Sequence, residues 1–217
     1  MKSFKSTSLA DQVFDKLEND IIQGVYAKGE ILTELKLVEQ LGVSRPPIRE
    51  ALRRLEQERL IAESGKGSVV LGITEDDLMD IMDIRKSVEA LATFYATRNM
   101  TPDGLKALNH IIELQDFYYT KRDLEHLRQL DDQFHDTICD LSKRTVIRDT
   151  LIPLHRKTKR YRKISIEENA RLRPSIEEHR RIFQAMAEGN AKLAAELTSQ
   201  HIENAKENMI ARVNYHG

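Results

Sequence analysis

Apolar residues recur at helical spacing from the start of the chain. Leu9, Val13, Leu17 and Ile21 fall about a turn apart, with Ser8 as a capping hydroxyl before them and Gly24 as a stop. A first helix is therefore predicted over 9–23. A shorter helix follows Thr33, from Glu34 to Leu41, and Gly42-Val43 breaks it. A third runs from Pro47 to Arg59 with Ile48, Leu52 and Leu55 inward. The period then changes. Leu60 to Glu63 and Ser68 to Leu71 read as two short strands, with Gly65-Lys66-Gly67 as the turn between them. Thr74 followed by Glu75, Asp76 and Asp77 marks a new helix, because acidic groups are favoured at the positive end of the helix dipole. The stretch Gly72-Ile73-Thr74 is thus a boundary between two domains, 1–72 and 73–217.

Everything beyond that boundary has helical periodicity. Six segments are predicted, at 75–98, 103–119, 123–142, 144–164, 174–188 and 191–213, with breaks at Thr101-Pro102, Thr120, Ser142, Arg173-Pro174 and Gly189-Asn190. The expected fold is mainly α: a small N-terminal unit with a two-stranded wing, then an all-helical antiparallel bundle with its own core. No internal repeat or low-complexity tract interrupts it.

Composition narrows the class. Gly and Pro total 14 of 217 residues, where average usage gives roughly 26, so turn-rich sandwiches and barrels are disfavoured. Cys139 is the single cysteine, which excludes an intrachain disulfide and fits a reducing compartment. No secretory leader is visible and no apolar run approaches the roughly 20 residues of a membrane span, so a soluble cytoplasmic protein is expected.

The net charge of −1 conceals two basic clusters. Residues 44–54 carry Arg45, Arg49, Arg53 and Arg54 against Glu50. Residues 143–163 carry nine Lys and Arg against Asp149. The second cluster keeps Ile147, Leu151, Leu154 and Tyr161 on one face and is most simply a solvated helix, its long basic chains extending to water. A sharper alternative is that Arg156, Lys159 or Arg160 attracts an anionic ligand. The first cluster sits in a more telling frame. Short helix, glycine turn, second helix and wing form the layout in which a reading helix presents its N-terminal residues to base edges. Arg45 and Arg49, one turn apart, can reach guanine or phosphate, and Lys66 between two glycines can bring a cation close to a groove.

These residues resemble the GntR family of bacterial transcription regulators. The likeness rests on Gly29-Glu30-Ile31-Leu32, on the run from Leu41 through Ser44-Arg45-Pro46-Pro47-Ile48-Arg49-Glu50-Ala51-Leu52 to Leu55, on Leu60-Ile61 and on the glycine wing. It implies that Ser44, Arg45, Pro47, Arg49, Gly65, Lys66 and Gly67 occupy DNA-contacting positions. Two positions depart from the pattern. Pro46 has no side chain with which to cap the reading helix, and Leu35 stands where many relatives carry arginine, leaving Lys36 as a substitute phosphate contact.

The C-terminal histidines carry a different chemistry. His179 shares a helical stripe with Ile176, Phe183 and Met186, and His201 shares one with Ala194, Leu197, Ala205 and Asn208. Both rings therefore point into the bundle from neighbouring helices. Asp131 and His135, four apart, flank the stripe Leu127, Leu130, Phe134, Ile138 and can face the same interior, with Asp132 as a competitor through its i, i+3 relation to His135. One inward histidine is ordinarily a hydrogen-bonded core residue. Three with a carboxylate suit a divalent transition metal such as Zn²⁺ or Ni²⁺. His110, His126, His155 and His216 lack convergent partners and read as surface residues.

The same residues extend the resemblance. Asp131 to His135, Glu178-His179 and His201 look like the signature of the FCD effector domain of FadR-type GntR regulators, and Arg85 and Glu89 fit its early Arg-x-x-x-Glu pattern. The resemblance implies that Asp131, His135, His179 and His201 ligate the metal and that Arg85 contacts an effector. It implies a homodimer on a palindromic double-stranded operator, most simply a repressor, whose binding responds to a small carboxylate. Two rival readings stand beside it: a metalloenzyme in which the site activates water, and a metal-independent regulator whose histidines hold the effector directly.

Overall fold

The structure is a computed structural model that describes residues 8–167 and 171–213. It divides into two compact units, Met1–Thr74 and Glu75–Gly217.

In the first unit, α1 spans Leu9–Gln23, α2 Glu34–Leu41 and α3 Arg45–Gln57, with strands β1 Ile31–Leu32, β2 Ile61–Ser64 and β3 Gly67–Val70. Ser8 caps α1 through a reciprocal box with Asp11, and Gly24 ends it in the left-handed conformation. Leu17, Leu32, Leu37, Ile48 and Leu55 are fully buried where α1, α2, α3 and the sheet meet. The sheet has three antiparallel strands in the order β1-β3-β2. Strand β1 was not legible as a strand, because two residues carry no periodicity. It explains Gly67, whose φ is +134° and whose added Cβ would lie 2.6 Å from the Leu32 carbonyl oxygen. The third helix begins two residues earlier than its hydrophobic pattern implies. Pro46 and Pro47 fit its first turn, where a missing N–H leaves no bond unmade, and Ser44 stands at the cap without a side-chain capping bond.

The second unit holds α4 Glu75–Arg98, α5 Pro102–Lys121, α6 Leu124–Leu141, α7 Thr145–Glu167, α8 Leu172–Ala187 and α9 Ala191–Val213. Its apolar core joins Ala92 and Ala96, Leu108 and Ile112, Phe134 and Ile138, Leu151, Ile182 and Met186, so that helices α4 to α8 all contribute. Helix α8 starts at Leu172, placing Pro174 in its first turn rather than at a break. The reading of α7 needs a correction. Leu151, His155 and Thr158 are its buried positions, and Leu154 is only partly covered. His155, expected at the surface, lies in the interior, whereas His110 and His126 are exposed as expected. Expectations for the side chains of Arg160, Tyr161, Arg162 and Lys163, and for His216, fall outside the described residues.

Candidate functional site

Five helices of the second unit, α4, α5, α6, α8 and α9, send polar side chains to one cavity. His135 from α6, His179 from α8 and His201 from α9 are buried, and each offers a ligand atom within 4.8 Å of the others. The Nε2 atoms of His179 and His201 lie 3.3 Å apart, as do those of His201 and His135. Bonds of about 2.0–2.1 Å at tetrahedral angles require donor atoms about 3.3–3.4 Å apart, so the donor set fits a zinc-sized ion. Asp131 Oδ1 is 3.7 Å from His179 Nε2 and borders the same cavity, which Asp132 does not line. That cavity measures about 50 Å³, room for about four water-sized groups.

Behind each imidazole stands a group that fixes its other nitrogen. Glu89 from α4 accepts from His135 Nδ1 at 2.8 Å. Glu178 from α8 accepts from His201 Nδ1 at 2.7 Å. The Gln115 amide from α5 faces His179 Nδ1 with its nitrogen at 3.1 Å and its oxygen at 3.2 Å, so it can hydrogen-bond that ring in either tautomer. Carboxylate acceptors at Nδ1 of His135 and His201 leave their Nε2 lone pairs for the centre, as metal-ligating histidines require. Burial pushes the pKa of His135 below the ordinary imidazole value, and burial with His201 pushes that of His179 well below it, so both rings favour the neutral, ligating form.

The carboxylates are matched by cations. Burial acts most strongly on Glu89 and raises its pKa, yet Arg85, His135 and His155 together hold it well below the carboxylate range. Burial likewise opposes ionisation of Glu178, while hydrogen bonds from His201 and Arg171 bring it down to about 2. Arg85 borders the cavity, but its Nε is spent on Glu89 at 2.7 Å and one Nη on Thr158 at 3.2 Å. Sequence reasoning missed Arg171. This residue clamps Glu178 with both terminal nitrogens and lines the cavity, and its buried Nε has no hydrogen-bond partner among the described residues. A free N–H beside a cavity suits an anionic group, and no periodicity could have marked it, because Arg171 precedes the helix.

In the first unit, α3 exposes Ser44, Arg45 and Arg49, with Pro47 half-buried. Gly65 and Lys66 are exposed at the wing tip, between Ser64 and Gly67, which pair across the hairpin. Arg49 is already engaged: Nε and Nη2 bind the Glu34 carboxylate at 2.9 and 3.0 Å. Arg53 is likewise held by Glu50, and Arg54 binds Asp11 while lying 4.0 Å over the Phe14 ring. Two of the four arginines therefore pair with neighbours on α1 or α2, and the local excess of positive charge is smaller than the bare sequence suggests.

Together these features define a winged helix-turn-helix protein carrying an all-helical second domain around a buried histidine cluster. Residues 9–70 match the gntR family of bacterial regulatory proteins and residues 80–204 match the FCD domain. The chain belongs to the FCD-containing GntR regulators, which are DNA-binding transcription regulators and not enzymes. It is 27% identical over 208 residues to the HTH-type transcriptional regulator YdhC of Bacillus subtilis, covering 94% of this chain and 92% of that one. It is 33% identical to the gluconate operon transcriptional repressor of Bacillus licheniformis over 137 residues, 63% of this chain and 56% of the relative. Among solved structures, Escherichia coli McbR/YncC shares the fold with a TM-score of 0.78 at 23% identity, over 95% of this chain and 99% of that one. No helix among the described residues is long and apolar enough to cross a membrane.

Proposed function

We propose that this regulator is a homodimeric repressor whose operator binding is modulated by a small carboxylate at a metal site in the helical unit. His135, His179 and His201 hold the ion, Zn²⁺ or Ni²⁺ by donor type, and Asp131 is the fourth protein ligand. The observation that carries this reading is the convergence of three buried imidazoles on one cavity, with His201 Nε2 3.3 Å from the Nε2 atoms of both His179 and His135. When bound, the ion supplies a positive centre with positions open to an acid, and Arg85 and the unpartnered Arg171 Nε border the space the acid would fill. In the head, Ser44, Arg45, Pro47 and Arg49 meet the major groove and Gly65, Lys66 and Gly67 meet the adjoining backbone. A two-fold dimer doubles this short reading surface on a palindromic double-stranded site. Repression as the sense of control is supported by the likeness to the gluconate operon transcriptional repressor of Bacillus licheniformis.

Elemental analysis of protein purified without a histidine tag tests the site, followed by thermal shifts with small carboxylates in the presence and absence of metal. One ion per subunit and a metal-dependent shift with the acid are expected, because ligands of the native state raise its apparent stability. A chain that never takes up metal and still shifts with an acid overturns the metal and leaves an effector held by the histidines alone.

A further inference from the structure

One buried chain of hydrogen bonds is left without a role by the histidine cluster. It starts at Asp136, whose side chain is 48% exposed on α6, and runs inward through α7 and α4. Asp136 Oδ1 meets His155 Nδ1 at 2.8 Å, and His155 Nε2 meets Glu89 Oε1 at 3.0 Å. Glu89 Oε2 meets His135 Nδ1 at 2.8 Å, and the other nitrogen of that ring belongs to the cluster. His155, Glu89 and His135 are each at most 5% exposed, so the inner links run in a low-dielectric interior where hydrogen bonds orient strongly.

The two oxygens of Glu89 are divided between two tasks. Oε1 receives Arg85 Nε at 2.7 Å from its own helix and His155 Nε2 from α7. Oε2 is thereby turned to His135. A carboxylate held by Arg85 alone, four residues away on one helix, could swing about its terminal torsion, which is broad and soft for glutamate. The second anchor, arriving from another helix, removes that freedom. An ionised carboxylate only accepts, so a fixed Oε2 demands the N–H on His135 Nδ1 and leaves the Nε2 lone pair facing His179 and His201.

The geometry points to His155, steadied by Asp136, as a positioning residue that acts through Glu89 to hold His135 in its Nδ1–H tautomer. Its value for metal binding rests on the metal reading proposed above, whereas the tautomer does not. Helix α7 is in this way tied to the centre of the helical unit.

The test uses the full chain and the variants His155→Phe, which removes both ring nitrogens at similar volume, and His155→Gln, whose amide can still donate to Glu89. Long-range ¹H–¹⁵N spectra of the histidine rings should show His135 as one Nδ1–H tautomer in the wild type and as a mixture in His155→Phe. Zn²⁺ affinity, read by competition with a chromophoric chelator, should fall 10–100-fold in His155→Phe, as is typical when a group behind a ligand is lost. His155→Gln should return to within a few-fold of the wild type. In a Glu89→Gln background His155→Phe should cost no further Zn²⁺ affinity, because the two act along one path. An unchanged tautomer, unchanged Zn²⁺ affinity or losses that multiply in the double variant would each overturn the assignment. Should His155→Phe fail to fold, Asp136→Ala takes its place, with a several-fold loss expected and wild-type affinity the refuting result. A wild type that takes up no Zn²⁺ defeats the metal reading alone, and the tautomer still decides the role of His155.

Discussion

The two units of this regulator place their chemistry on opposite sides of their cores. Among the described residues, the head has an interior that is apolar apart from Glu18 and Asp20, and its candidate contacts, Arg45, Arg49 and Lys66, lie outside. The helical unit does the reverse: Arg85, Glu89, His135, His155, His179 and His201 are all buried among its helices. The difference follows from the ligand. A duplex is large and its phosphates draw cations from outside, so basic groups need only be exposed on a stable support. A small ion or acid must be enclosed to be bound selectively, and enclosure means burying charge. Such burial is tolerable only when each group meets a partner, and removing one partner is far more damaging than removing the pair. Variants of the head should therefore change DNA binding with little effect on stability, while variants of the buried cluster should change ligand binding and stability together.

The sharpest break of that comparison is removal of a ligand. His201→Ala or His179→Ala should reduce metal affinity by well over the roughly 100-fold upper range for groups behind the ligands. Either should abolish the thermal shift produced by metal, and operator binding should persist in a gel shift. Metal bound equally in wild type and both variants, by elemental analysis, would remove the three histidines from the site.

Next in size is the reading helix. Arg45→Ala should weaken operator binding by about 1–3 kcal/mol and relax the base preference at one position, with metal content and melting temperature unchanged. Normal binding at physiological salt would show that the first turn of α3 does not meet the bases. A large fall in melting temperature would show that the head does not keep its chemistry outside its core.

How much of this was legible in the sequence differs between the two units for a physical reason. The head is built from local signals: Ser8, Thr33 and Gly42 stop and start helices within a few residues of themselves, and the hairpin closes over two residues. The inward histidines of α8 and α9 were legible because each falls on a line of apolar or small residues at helical spacing, Ile176, Phe183 and Met186 on α8 and Ala194, Leu197 and Ala205 on α9. His155 was not. Its neighbours Arg156 and Lys157 made α7 look like a charged face, and its partners Glu89 and Asp136 are 66 and 19 residues away. The spacing of Leu151, His155 and Thr158, at i, i+4 and i+7, was the available signal, and it competed with an equally regular set through Leu154. Arg171 had no such signal, and neither did the pairing of Arg49 with Glu34, which joins two helices across a turn.

The wing should behave more weakly than the reading helix and without sequence preference. Lys66→Ala should lower affinity for operator and unrelated duplexes alike and reduce the salt slope by about one unit, as the loss of one phosphate contact does. A loss confined to particular bases, with the slope unchanged, would move Lys66 from the backbone to the groove.

The smallest effect expected is the most discriminating between a surface that is merely basic and one that is arranged. Glu34 holds Arg49 through two hydrogen bonds, with the arginine side chain 71% exposed, so the pair sits in water and contributes little to stability. The Glu34 carboxyl is held below its usual pKa by its hydrogen bond from Arg49, and so it is ionised at neutral pH and repels phosphate. Glu34→Gln should raise affinity for unrelated duplexes a few-fold by removing that charge and loosening the guanidinium. It should narrow the margin between operator and unrelated DNA, because an arginine no longer fixed by two bonds meets a base edge less selectively. Competition gel shifts with operator and scrambled duplexes at two salt concentrations measure both quantities. An unchanged margin with higher affinity everywhere would show that Glu34 only dilutes the positive charge of the head, and a lower affinity for both duplexes would show that it supports the fold of the head instead.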